Sequence, residues 1–157
     1  MSIRRLHADD WHVFRDVRLA SLKDAPYAFG STWEREQDRP EADWRHAVGS
    51  RERYVAEMDG HVVGTASGGE SGYSRAASLT SLWVDPSARG KGVGDALIAT
   101  VMAWAKAAGN NQLLLWVTET NAHAEKLYER HGFRRTGAIQ PVRPGEDRLE
   151  FEMSVRV

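Results

Sequence analysis

The sequence holds no cysteine. That absence removes disulfides, thiol nucleophiles and cysteine-rich zinc sites together, and it fits a reducing cytoplasm, the localisation expected here. No apolar run approaches membrane-spanning length. Residues 1–10 carry charges and no apolar h-region, so no signal peptide is expected. The net charge is only −1, so no overall field would recruit nucleic acid or an anionic membrane. None of the six histidines (His7, His12, His46, His61, His123, His131) forms a His-x-x-x-His pair with an acidic partner, and no metal is expected. A nucleophile elbow is missing too: Gly68-Gly69-Glu70-Ser71-Gly72 fails the Gly-x-Ser-x-Gly spacing by one residue.

What remains is an ordinary globular composition, 27% charged and 41% hydrophobic over 157 residues. That length suits one domain with a real core, expected over residues 1–157. The chain is organised around residues 82–94, LWVDPSARGKGVG. Residues 78–84 are apolar and β-branched enough for a buried strand, and Pro86 stops it. Gly90, Gly92 and Gly94 alternate with Lys91 and Val93, and a helical pattern follows, with Leu97, Val101, Trp104, Ala105 and Ala108 on one face. Glycines before a helix let several N–H groups point at one spot, which also feels the positive end of the helix dipole. The chemistry expected there is binding of a phosphate or pyrophosphate.

Two common phosphate loops do not fit. A P-loop needs Ser or Thr after Gly-Lys, and Lys91 is followed by Gly92 and Val93. A dinucleotide fingerprint needs a third glycine at the position of Asp95. The spacing that does fit is Arg89-x-x-Gly92-x-Gly94, which resembles the acyl-CoA pyrophosphate loop of the GCN5-related N-acetyltransferase (GNAT) family. A second stretch, Asn121-x-x-Ala124-x-x-Leu127-Tyr128-x-x-x-Gly132-Phe133, is similar to that family's CoA-side helix after strand five.

The rest of the pattern agrees. Residues 2–6 read as a strand, and residues 10–23 as a helix capped by Asp9 or Asp10 and ended by Pro26. Residues 29–33 read as a structured loop, 34–38 as polar, and 40–48 as a helix with Pro40 in its first turn. Asp59-Gly60 joins strands 53–58 and 61–67 as a type I′ hairpin. Residues 68–75 read as a glycine-rich loop. Gly109 ends the long helix, residues 113–117 form a buried strand, and Asn121 caps a helix with Ala124, Leu127, Tyr128 and His131 on its face. Gly132 closes that helix, and Phe133 folds back on it. Strands at 133–137 and 148–155 flank an exposed loop at 141–147. The order β α α β β β α β α β β is a mixed α/β domain and matches the family's along nearly the whole chain.

The resemblance implies a mostly antiparallel sheet, flanked by helices, with a splayed parallel strand pair. It implies acetyl-CoA as cofactor, an amine as acceptor, and no nucleic-acid or membrane partner; it leaves a homodimer open. Backbone N–H groups of Arg89, Gly90, Lys91, Gly92, Val93, Gly94 and Asp95 would hold the pyrophosphate. Arg89 and Lys91 either add cations there or are solvated turn charges. Leu82, Trp83 and Val84 would line the pantetheine gap, with backbone pairing at Leu82 and Val84. Asn121 would bond the cofactor arm as well as cap its helix. Tyr128 would protonate the departing thiolate, although an inward aromatic is also a core residue.

No general base stands out. Family members often carry Glu or His on the strand before the loop, and here Ser78, Thr80 and Ser81 are its polar residues. In the subgroup acting on ribosomal-protein N-termini a Glu stands five before the Asn, where this chain has Trp116. Glu57, Glu70, Glu119 and His123 are loose candidates, and a water chain to a remote carboxylate is another route. Phe29, Trp33, Glu70 and Trp116 are the acceptor-pocket candidates. The function implied is an N-acetyltransferase acting on a small primary amine. A protein N-terminal acetyltransferase, a non-catalytic acyl-CoA-binding module and a nucleotide-binding protein are the rivals.

Overall fold

The computed structural model describes residues 1–157. Strand β1 (Ser2–Arg5) leads into helix α1 (Trp11–Asp24), the short α2 (Trp33–Glu36) and α3 (Glu41–Gly49). Strands β2 (Glu52–Met58), β3 (His61–Glu70) and β4 (Ala76–Val84) follow. Helix α4 (Val93–Ala107), β5 (Gln112–Thr118), α5 (Ala122–Arg130), β6 (Arg134–Pro141) and β7 (Leu149–Arg156) complete the chain. The strands form one seven-stranded sheet in the order β1-β2-β3-β4-β5-β7-β6. Every pairing is antiparallel except β4 with β5.

The sheet is covered on both faces. On one, Leu97, Ile98, Val101 and Ala105 of α4 pack with Leu113, Leu115, Val117, Tyr128, Phe133 and Met153. On the other, Phe14, Val17 and Leu22 of α1 and Trp44 and Val48 of α3 pack with Val55 and Trp83. The helical and strand periods expected from the sequence therefore deliver their apolar stripes to two separate cores. The Asp59-Gly60 hairpin is as expected: both residues have positive φ, 51° and 78°, as a type I′ turn requires.

Several boundaries differ, each for a physical reason. Gly68 and Gly69 belong to β3, not to a loop. A Cβ on Gly68 would lie 2.6 Å from the Trp104 ring, and one on Gly69 would lie 2.6 Å from the Arg51 guanidinium. These glycines mark close approach within a strand, not chain flexibility. Residues 34–38 are not merely polar: Thr32 caps α2 by accepting from Arg35 N–H at 3.2 Å, and Glu36 is buried. Pro40 is the N-cap of α3 rather than its first turn. Asp10 accepts from His7 N–H, closing a 3-10 turn before α1, and makes no side-chain cap to α1 itself. Ala108 lies past the end of α4 and is exposed. Strand β6 runs on to Pro141 through a bulge at Gly137, where φ is 99°. No helix is long and apolar enough to cross a membrane.

Candidate active site

Strands β4 and β5 pair over three residues only, from Ala76↔Gln112 to Ser78↔Leu114. Beyond that point they part. An extra residue in β4, opposite the stretch between Thr65 and Ser67 of β3, forces the separation, and Ser81 takes φ 59° there. A positive φ at serine is strained, and buried bonds hold it. Ser81 Oγ accepts from Arg18 Nη1 at 3.1 Å, and Arg18 donates through Nε and Nη2 to both oxygens of Glu36 at 3.0 Å. Glu36 is 1% exposed. Burial pushes its carboxyl up, but the bonds from Arg18 and Ser31 and the charges of Arg18 and Arg39 outweigh that and hold it below the usual value.

The gap opens a cleft of about 780 Å³. Its α4 side is lined by the loop before α4, by Asn121 and by Leu127 and Tyr128. The N–H groups of Gly90, Lys91 and Gly92 find no acceptor in the protein, and the first turn of α4 adds more free donors. Gly90 and Gly92 have φ 76° and 81°, and a Cβ on either would meet nothing within 4 Å. Their need is conformational, and the space above them is open. Gly94 differs: its Cβ would lie 3.1 Å from Leu127 Cδ2, so this glycine lets α5 approach α4. Asn121 Oδ1 accepts from Ala124 N–H at 3.3 Å, the expected cap. Asp95 bonds His131 Nε2 at 2.7 Å and Arg130 at 3.2 Å, and the Arg130 guanidinium offsets its charge beside the loop.

Tyr128 is buried in the cleft wall, edge-on to Phe133 at 5.8 Å between centroids. Its hydroxyl makes no hydrogen bond to the protein. Burial pushes the phenol well above its usual pKa, so at neutral pH it carries a proton. Arg89 lines the cleft but is engaged elsewhere: Nη2 donates to Asp24 at 2.7 Å and Nε to the Val84 carbonyl at 3.1 Å. Trp83 Nε1 donates to the same Asp24. Lys91 is exposed and does not line the cleft.

On the other side stand Phe29, Tyr27 and Trp116. Trp33 stands away from the cleft, with Lys23 Nζ 5.6 Å from its ring centroid. Glu70 is at the far end of β3, paired with Ala77 and exposed. Of the loose base candidates, Glu57 is bound to Arg4, Glu119 accepts from Leu149 N–H, and His123 lines the cleft. The Arg18–Glu36 brace and the buried Thr118 are site features the sequence did not reveal.

The model of the acetyltransferase (GNAT) family matches residues 7–133. The chain belongs to this family, whose acyl donor is acetyl-CoA. N-acetylaspartate synthetase of Rattus norvegicus is 35% identical over 106 residues, 64% of this chain and 36% of that protein. Mycothiol acetyltransferase of Acidothermus cellulolyticus is 35% identical over 98 residues, 54% of this chain and 30% of that protein. The chain thus spans about a third of the length of these curated relatives. Among solved structures, a GNAT superfamily phosphinothricin acetyltransferase from Sinorhizobium meliloti, in complex with acetyl-CoA, superposes with TM-score 0.80 at 20% identity, covering 99% of this chain and 88% of that one. An acetyltransferase from Salmonella typhimurium, with its cofactor acetyl-CoA, gives 0.78 at 21% identity, covering 99% and 93%. At these identities the likeness is one of fold.

The residues present fit the family's cofactor. Free N–H groups over open space suit a pyrophosphate. A strand edge without a partner suits an amide-bearing arm. An unpartnered phenol suits a sulfur that needs a proton.

Proposed function

We propose that the chain is an acetyl-CoA-dependent N-acetyltransferase that modifies the primary amine of a small molecule. The observation that carries this reading is the parting of β4 from β5 after Ser78 and Leu114. It leaves the β4 edge free beside an unpartnered Tyr128 hydroxyl.

Bound acetyl-CoA supplies an acetyl group activated as a thioester. The protein's own part is to bind, orient and move protons. The N–H groups of residues 90–95 hold the pyrophosphate, and Leu82 and Val84 take the pantetheine amides as an added strand would. Free β4 N–H groups polarise the thioester carbonyl, a role worth most in a dry, preorganised site. Val84's carbonyl becomes available when Arg89 Nε releases it. Tyr128 gives its proton to the departing sulfur, which its raised pKa permits at neutral pH. Trp116, standing where the ribosomal-protein subgroup has glutamate, favours a small amine over a protein N-terminus. So do relatives named for mycothiol and phosphinothricin.

The test is CoA-thiol release with a panel of primary amines, with each product checked by mass spectrometry. Amine-dependent release with N-acetylated product is expected. Tight acetyl-CoA binding with no amine acetylated would leave only a CoA-binding module.

A further inference from the structure

The sheet face opposite α4 carries an excess of buried positive charge. Side chains alternate between the two faces, so Arg53 of β2 shares the face of Val55, under α1 and α3. Its guanidinium sits 4.6 Å from the Phe14 ring centroid. It donates through Nε to the Ala47 carbonyl at 3.0 Å and through Nη1 to Ser67 Oγ at 2.9 Å. Arg51 lies on the same face. Gly69 leaves room for its guanidinium, and Nη2 donates to the Ser78 carbonyl at 3.1 Å and to Ser78 Oγ at 2.7 Å.

No carboxylate holds either arginine. Glu36 is on this face, but both its oxygens accept from Arg18, and Arg39 adds a further bond. Arg18, Arg51 and Arg53 therefore have one carboxylate among them. Burial, then the charges of Arg51 and Arg18, pull the Arg53 guanidinium down to about 10, and only Glu36 opposes them. Burial pulls Arg51 down with nothing against it. Donors are left over as well. Arg51 Nε is buried without a partner. Arg51 Nη1 and Arg53 Nη2 make no hydrogen bond either, and both keep contact with solvent. A buried cation without its anion is costly, and a guanidinium edge matches the two oxygens of a carboxylate.

The register puts these donors beside the gap. Ser67 pairs with Thr80, and Gly69 with Ser78. Ser78 is the last residue of β4 to pair with β5, so Arg51 stands at the closed end of the gap. Neither guanidinium lines the cleft itself. Thr80, two residues on from Ser78 and on the same face, is exposed and does line it. The loop before α4, Asn121 and Tyr128 are on the α4 side, and the arginines are on the other. Two ligands can thus meet at the gap from opposite faces of the sheet. Resting on the acetyltransferase reading, we propose that the acceptor carries a carboxylate as well as its amine, and that Arg51 and Arg53 hold that carboxylate at the closed end of the gap. The acid group completes the donors left free there. The amine then points along β4, past Thr80, toward the thioester.

The test uses amines in matched pairs, with and without the acid: 5-aminopentanoate against 1-aminopentane, and lysine against 1,5-diaminopentane. The ratio of kcat/KM within each pair is measured for the wild type, Arg51→Gln, Arg51→Lys and Arg53→Lys, with acetyl-CoA affinity and melting temperature taken on each. The wild type is expected to prefer the acid-bearing member by about tenfold or more, the effect of one hydrogen bond to a charged group. Arg51→Gln should cut that ratio by about tenfold, through KM, with acetyl-CoA affinity unchanged. Arg51→Lys should restore part of it. Arg53→Lys keeps the charge but loses the fork, and should cut the ratio by about threefold. An Arg51 that only props Ser78 would affect both members of a pair alike and leave the ratio where it was. Calorimetry of the same amines with coenzyme A present makes the comparison for pairs that do not turn over. No advantage for the acid-bearing members in either measurement, or a ratio unmoved in Arg51→Gln or Arg53→Lys, would overturn the proposal. Failure of the wild type to bind acetyl-CoA would instead overturn the acetyltransferase reading beneath it.

Discussion

The donor half of the cleft comes from two segments, residues 82–95 and 121–133, each continuous in sequence. The other half is assembled from the turn at Tyr27–Phe29, the end of β5, and the Glu36–Arg18 brace behind them. In the proposed reaction the first half works through backbone N–H groups and one phenol, placed by local turns and caps. The second works through side chains that meet only because of strand register and long-range ion pairs. Damage to the donor half should therefore appear in binding and turnover with the fold intact. Damage to the other half should appear partly as lost stability.

The largest expected effect is in the donor half. Tyr128→Phe keeps the ring against Phe133 and removes the proposed proton donor. It should lower kcat by about 10²–10⁴-fold, with kcat/KM falling in parallel and acetyl-CoA affinity nearly unchanged. Acyl donors with a more acidic thiol should lose less. Steady-state kinetics check this; normal turnover would make Tyr128 a core residue only.

The matching cut on the other side is Glu36→Ala. It strands Arg18, whose side chain is 16% exposed, and releases the strained Ser81. A loss of about 3 kcal/mol is expected from denaturant unfolding, the low end for a broken buried pair because Arg18 keeps some contact with water. The pH dependence has a definite sign. The folded pKa of Glu36 lies below its ordinary 4.5, so its contribution is full above that value and fades as pH falls through the folded one. The gap in melting temperature between wild type and Glu36→Gln should narrow under acid. A gap constant with pH would separate Glu36 from stability.

Gly92→Val comes next. The space over Gly92 is open, so the fold cost is the αL conformation alone, roughly 1–2 kcal/mol. Acetyl-CoA affinity should drop severely, since the new side chain fills the anion's space. Calorimetry on the folded variant showing unchanged affinity would break the loop assignment. The smallest effect belongs to Arg89→Ala. Its guanidinium already serves Asp24 and Val84, so a few-fold change in acetyl-CoA affinity is expected, and a loss as large as that of Gly92→Val would contradict this.

The same contrast explains what could be read from residues alone. The element order, the hairpin and the donor loop follow from local spacing or from motifs short enough to see, whereas the parted strand pair is implied only by the family resemblance. Glu36 gave no signal: it sits in a polar run, and its partner is 18 residues away on another helix. Gly68 and Gly69 look like loop residues because glycine in a strand carries no local mark; the Trp104 and Arg51 side chains that require it come from elsewhere. Trp33 and Glu70 are near the pocket in sequence terms only. Even in the donor half, one motif glycine misleads by itself, since Gly94 serves helix packing against Leu127.

The central claim is that the open strand edge and the loop before α4 together receive acetyl-CoA. Thermal unfolding of the wild type with saturating acetyl-CoA or NAD tests it most directly. Acetyl-CoA should stabilise the protein by about 2.7 kcal/mol at a concentration a hundredfold over Kd, and NAD should not. Stabilisation by NAD with no response to acetyl-CoA would contradict it.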